Sequence, residues 1–154
     1  MFACIFDSGY FALNAAAAKP ARNQDTVHPP TQDPVVDLTP QQKNVVYKGG
    51  TMRLGGYECT LREGSRVREI YGKEIIRERH RHRYEFNNDF KEEYEKAGME
   101  CVGTNPETGL VEIVEVPSLR WYVGTQFHPE YSSTVLKPHP LFLSFVKAAI
   151  DGRK

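Results

Sequence analysis

The sequence predicts a mixed α/β domain, and three observations carry that prediction. From Pro34 onward, strand-like and helix-like runs alternate, with Gly or Asn at their junctions. Three strand-like runs crowd together between Glu100 and Gln126. The last periodic run, Pro140 to Ile150, places Leu141, Phe142, Phe145, Val146 and Ala149 on one face of a helix that starts at a proline.

In order along the chain, residues 1–33 hold an apolar, Ala-rich head and then a polar stretch from Lys19 to Asp33. They show no sustained period of two or 3.6, so a loose segment with a short helix at Phe11–Ala18 is expected. Residues 34–150 form the folded domain, and 151–154 a tail. Pro34 to Leu38 reads as a short strand, Gly49-Gly50 as a turn, and Met52 to Thr60 as a strand bent at Gly55-Gly56. Gly64 to Tyr71 reads as a short helix that Gly72 ends. Arg79 to Phe86 alternates like a strand. Asn87 or Asn88 caps a helix that runs to Ala97 and stops at Gly98. Glu100–Thr104, Leu110–Val116 and Trp121–Gln126 complete the strands, the middle one alternating apolar residues with Glu112 and Glu115.

Bulk composition excludes several classes. With 154 residues, 40% hydrophobic and 26% charged, the chain can build one core. Lys plus Arg number 20 and so do Asp plus Glu, so there is no basic excess for general nucleic-acid binding. No apolar run is long enough to span a membrane, and the Tyr10–Ala18 stretch lacks the basic flank of a signal peptide. Cys4, Cys59 and Cys101 are widely spaced and form no Cys-x-x-Cys pair, which fits free thiols in a reducing, cytoplasmic setting.

Chemistry concentrates in Gln126-Phe127-His128-Pro129-Glu130. A His and a carboxylate two residues apart supply two of the three groups of a nucleophilic triad. The imidazole takes a proton from a thiol or hydroxyl, and the carboxylate holds the other ring N–H. Pro129 fixes φ between them. The motif follows a strand, at whose C-terminal end α/β folds place their sites. A tripeptide alone also suits an ordinary surface loop. His80 and His82 share one side of a strand and could contact a metal, but no third ligand accompanies them, so no metal site is assigned. Glu74, Glu78 and Glu85 dilute the basic run around them.

Four segments stand in a telling order. They are Gly49-Gly50-Thr51-Met52-Arg53-Leu54-Gly55, Glu78-Arg79-His80-Arg81-His82-Arg83-Tyr84-Glu85, Val111-Glu112-Ile113-Val114-Glu115 and Gln126-Phe127-His128-Pro129-Glu130-Tyr131. Together they closely resemble the C-terminal part of the glutamine amidotransferase domain of the CTP synthase family, from about Pro34 to Ile150. The His-Pro-Glu motif is shared with the wider class I amidotransferases. The resemblance implies a flavodoxin-like domain with a mixed sheet and flanking helices, present here without its N-terminal strands. It implies glutamine hydrolysis by a Cys-His-Glu triad, the ammonia passing to a synthase half that aminates UTP with ATP. His128 then matches the base, Glu130 its orienting carboxylate and Arg83 a contact to glutamine. ATP, UTP and magnesium belong to the synthase half, so no cofactor is expected on this portion. Expected partners are glutamine and the subunits of an oligomeric synthase, with no nucleic acid and no membrane.

The sequence departs from the family at the nucleophile. The family carries Gly-x-Cys-x-Gly on a sharp strand-to-helix turn, where small residues clear the oxyanion pocket. Cys4 is the only candidate, and Phe2 and Phe6 stand where the glycines belong. A Glu that contacts glutamine in the family has no counterpart between Ala21 and Pro34, where Asp25 is the nearest carboxylate. The chain is therefore expected to be an inactive portion of the glutaminase or, alternatively, a non-catalytic module that binds full-length subunits.

Overall fold

The computed structural model describes residues 36–38 and 53–152. The expected helix at Phe11–Ala18, the Gly49-Gly50 turn, Cys4 and Asp25 lie outside the described residues. The elements are β1 (Val36–Leu38), β2 (Arg53–Leu61), α1 (Arg66–Tyr71), β3 (Ile75–His82) and β4 (Tyr84–Phe86). A 3-10 turn, Asn88–Phe90, leads into α2 (Lys91–Lys96). Then come β5 (Glu100–Thr104), β6 (Val111–Glu115), β7 (Val123–Thr125), a second 3-10 turn at Pro129–Ser132 and α3 (Pro140–Asp151).

Five strands form one sheet in the order β3-β2-β5-β6-β7, and each neighbouring pair is antiparallel. β1 pairs with β4, also antiparallel, in a separate two-stranded ladder. Side-chain alternation sends successive residues of the sheet into two cores. Cys101 and Val114 pack with Phe86, Tyr94 and Met99 on the α2 side. Val102 and Ile113 pack with Cys59, Val67, Phe127 and Leu141 on the side of α1 and α3. The architecture is α/β, a sheet with helices on both faces, as the sequence predicts.

Local chemistry sets the element ends. The Ser65 hydroxyl caps α1 by accepting from the Arg68 N–H, and Gly72 closes it at φ 63°, a left-handed conformation that glycine adopts without strain. Glu115 reaches across from β6, and its two carboxylate oxygens accept the N–H groups of Arg66 and Val67 at 3.3 and 3.4 Å. Those donors have no partner inside the helix.

The expected Arg79–Phe86 strand is two strands broken at Arg83, and the first begins earlier, at Ile75. Its inward residues are Ile76, Glu78, His80 and His82, so polar side chains hide the buried face from hydropathy. β6 does not alternate between core and solvent. All five residues are buried, including Glu112 and Glu115, because β5 and β7 flank it and both faces are covered. Trp121 leaves the expected Trp121–Gln126 strand to pack on α3, donating to Ser144 Oγ at 2.9 Å with its ring against Phe145. On α3, Leu141 is fully buried, whereas Leu143, Val146 and Ile150 are 55, 54 and 57% exposed. The buried stripe is thus narrower than the sequence suggests, and Val146 and Ala149 lie outside it. Among the described residues no helix is long and apolar enough to cross a membrane.

Candidate active site

β7 ends at Thr125, and the chain passes through buried Gln126 and Phe127 to His128. The His128 backbone N–H donates to the Arg79 carbonyl at 2.9 Å, which docks the end of this segment on β3. Pro129 then opens the 3-10 turn, and the Tyr131 N–H closes on the His128 carbonyl at 3.2 Å. The turn brings Glu130 back under the imidazole, where Nδ1 of His128 lies 2.7 Å from Glu130 Oε1. A carboxylate accepts only, so Nδ1 carries the proton and the Nε2 lone pair faces away from Glu130. The imidazole is 13% exposed and the carboxylate 52%. The ring is shielded while its partner stays wet.

A second buried group fixes the turn from below. Glu78 Oε1 accepts from the Tyr71 hydroxyl at 2.9 Å and lies 2.9 Å from His139 Nε2, while its Oε2 accepts from Ser132 Oγ at 3.3 Å. His139 in turn caps α3 by accepting the Leu141 N–H. One carboxylate therefore ties α1, β3, the Pro129–Ser132 turn and α3 together. Burial and the Glu78 charge push the Tyr71 hydroxyl far above its ordinary range, so it stays a donor.

Arg83 occupies the bend between β3 and β4, half-buried. Its neighbour Tyr84 is anchored to the His128 segment, because Gln126 Nε2 donates to the Tyr84 carbonyl at 2.7 Å. Behind them runs a buried polar chain. His82 Nδ1 lies 3.1 Å from Gln126 Nε2 and also 3.1 Å from the Tyr84 carbonyl. His82 Nε2 is 2.8 Å from His80 Nδ1, and His80 Nε2 is 3.5 Å from Glu112 Oε2. Arg53 Nη1 closes the chain, 2.6 Å from Glu112 Oε1 and 3.5 Å from Glu85 Oε1. Burial pushes the Glu112 and Glu85 carboxyls up to about 7, against the opposing pull of Arg53. Burial, reinforced by the Arg53 charge, pushes His80 down to about 2 and His82 down to about 4.

The two described thiols are not poised for attack. Cys59 and Cys101 are free and sit in the cores. Burial holds Cys101 up at about 11 and Cys59 higher still, so neither offers a thiolate near neutral pH. Among the described residues no group of three or more His, Cys, Asp or Glu is arranged to hold a metal. His80 and His82 are turned onto each other instead.

The structure thus brings His128 and Glu130 together and links Arg83, through Tyr84 and Gln126, to the same strand end. Arg53, Glu85, Glu112 and Gln126 escape a reading by sequence. The signal that could have found the carboxyls is the central place of β6, where a charge must be buried and so must be paired.

The family model for Glutamine amidotransferase class-I matches residues 11–148. The chain is 65% identical over 121 residues to a CTP synthase of Bacteroides fragilis, covering 79% of this chain and 23% of that protein. It is 56% identical over 144 residues to a CTP synthase of Porphyromonas gingivalis, covering 94% of this chain and 26% of that protein. The chain therefore spans about a quarter of the length of the curated relatives it matches. Among solved structures it is similar to the Trypanosoma brucei CTPS glutaminase domain with bound acivicin, at TM-score 0.69 and 38% identity. That match covers 78% of this chain and 47% of the other.

Proposed function

The chain belongs to the class-I glutamine amidotransferase family, and from that membership we propose that it is part of the glutaminase of a CTP synthase. In this reading the whole enzyme hydrolyses glutamine and uses the ammonia to aminate UTP to CTP with ATP. The portion in hand supplies the base His128, its orienting carboxylate Glu130 and the glutamine contact Arg83. The observation that carries the reading is the 2.7 Å contact between His128 Nδ1 and Glu130 Oε1. It leaves Nε2 as the atom that takes a proton from an incoming nucleophile. Arg83 offers a planar fork of donors suited to the substrate carboxylate.

This chain alone does not turn glutamine over. Both described thiols are buried and protonated, and Cys4 is flanked by Phe2 and Phe6 in place of the glycines of an elbow. Without a thiolate no covalent intermediate forms, and triad members act as a unit. Glutamine binding is the function that remains. Titrating glutamine into the chain while following backbone amide shifts tests this. Saturable shifts at Arg83 and His128, lost in Arg83→Ala, support it. No shift at either residue rejects it.

A second reading, a non-catalytic module that pairs with a full-length synthase subunit, draws on one observation. Leu143, Val146 and Ile150 form an exposed apolar stripe on α3. Co-elution with a full-length subunit, abolished by Val146→Glu, supports it; independent elution of the two chains counts against it.

A further inference from the structure

Gln126 is 2% exposed, and its side chain commits one end only. Its Nε2 meets the Tyr84 carbonyl and His82 Nδ1, while its Oε1 is buried with no hydrogen-bond partner among the described residues. The amide cannot be turned round. An oxygen in the place of Nε2 would sit 2.7 Å from another carbonyl oxygen. The two amide protons therefore have two acceptors, the Tyr84 oxygen and the His82 ring.

The far end of the chain decides which way the hydrogen bonds run. Glu112, 2.6 Å from Arg53 Nη1, is a carboxylate at pH 8 and accepts only. His80 Nε2 faces it and so carries the proton, which leaves His80 Nδ1 as an acceptor. His82 Nε2, at 2.8 Å, must then donate to His80 Nδ1, and His82 Nδ1 must accept from Gln126. Donation runs one way, from Gln126 through His82 and His80 towards Glu112, whose carboxylate also faces the Arg53 guanidinium from the other side. The Arg53 side chain is 9% exposed, and those of Glu112 and His80 are fully buried. The reverse order would let His82 Nδ1 donate to the Tyr84 carbonyl, 3.1 Å away, but it would turn the His80 Nε2 lone pair onto the buried Glu112 carboxylate at 3.5 Å.

We propose that Gln126 is a positioning residue: its amide clamps the Arg83–Tyr84 backbone to the strand end that delivers His128, and the His82–His80–Glu112–Arg53 chain locks that amide. The clamp connects the proposed substrate contact to the proposed base, and its catalytic meaning rests on the glutaminase reading. Its geometry does not. Gln126 and His128 lie on one short segment, so a donor lost at Gln126 frees Arg83 without removing any group from the site.

Nitrogen-15 NMR of the imidazoles at pH 8 tests the chain in the unaltered protein. His82 and His80 should each carry their proton on Nε2, with Nδ1 unprotonated. A proton on His82 Nδ1 overturns the proposal. Gln126→Met keeps the shape and removes the donor. The Tyr84 oxygen then needs a new partner, and His82 should shift its proton to Nδ1 to supply one. The Arg83 and Tyr84 amides should become more mobile, with the rest of the sheet unchanged, and glutamine should bind about fivefold more weakly. Unchanged relaxation at Arg83 and Tyr84 in that variant also overturns the proposal. If the tautomers and the loosening appear as stated while Arg83→Ala leaves glutamine binding untouched, the clamp stands and the glutamine reading falls.

Discussion

Arg53 Nη1 lies 2.6 Å from Glu112 Oε1 in the interior, and neither side chain is more than 9% exposed. This ion pair is the anchor of a cluster in which two carboxyls and two imidazoles all titrate away from their ordinary ranges. Such a cluster makes folding stability depend on pH in a defined direction.

The histidines are neutral in the fold, with His80 near 2 and His82 near 4, whereas in the unfolded chain both titrate at 6.5. They contribute stability that is lost as pH falls below 6.5. The carboxyls Glu85 and Glu112 titrate near 7 in the fold against 4.5 unfolded, so the fold holds their protons longer and is penalised as pH rises towards 7. Between 4.5 and 6.5 the two effects nearly cancel. Below that window the histidines win, and stability should fall by roughly 1.4 kcal/mol per pH unit. Urea midpoints from pH 3 to 9 should therefore peak in the mildly acidic range, and Glu112→Gln should reduce the decline from 6.5 to 7.5. A midpoint that rises steadily to pH 8 would contradict this.

Glu115→Ala should destabilise the fold by about 1–3 kcal/mol, because two helix N–H groups lose their acceptor. Thermal unfolding measures it. An unchanged Tm would mean that water replaces the carboxylate without loss.

Much of the fold is legible in the chain. β5, the stop at Gly72 and the start of α3 at Pro140 all follow from local chemistry. The candidate site is legible in part: His128 and Glu130 are near in sequence and near in space. The buried spine is not. Arg53, His82, Glu85, Glu112 and Gln126 come from β2, β3, β4, β6 and the segment after β7, so only the tertiary fold, with β4 laid against the five-stranded sheet, brings them together. A Glu on an apolar strand looks like a solvent-facing residue until both faces of that strand are known to be covered.

Gly103→Ala should cost about 1–3 kcal/mol, since an added Cβ would stand 2.7 Å from Ile113 Cγ1 and 2.8 Å from Cys59 Sγ. The pairing of Ile113 with Gly103 leaves the neighbouring strand no room to yield. Denaturant unfolding reads the loss, and wild-type stability would show that the sheet relaxes there.

Glu130→Ala should release the His128 proton from Nδ1. In the unaltered protein Nδ1 carries it, 2.7 Å from the carboxylate, and the variant should populate the Nε2–H form. Nitrogen-15 NMR separates the two. An identical tautomer in both proteins would remove Glu130 from the orienting role proposed for it.

The central claim is that His128 and Glu130, the proposed base and its carboxylate, have no accessible thiol beside them among the described residues. The direct test is glutamate release by the purified chain incubated with glutamine. The account predicts none above the uncatalysed background. Steady glutamate production that disappears in Cys4→Ala would contradict it and seat the missing thiol at the fourth residue.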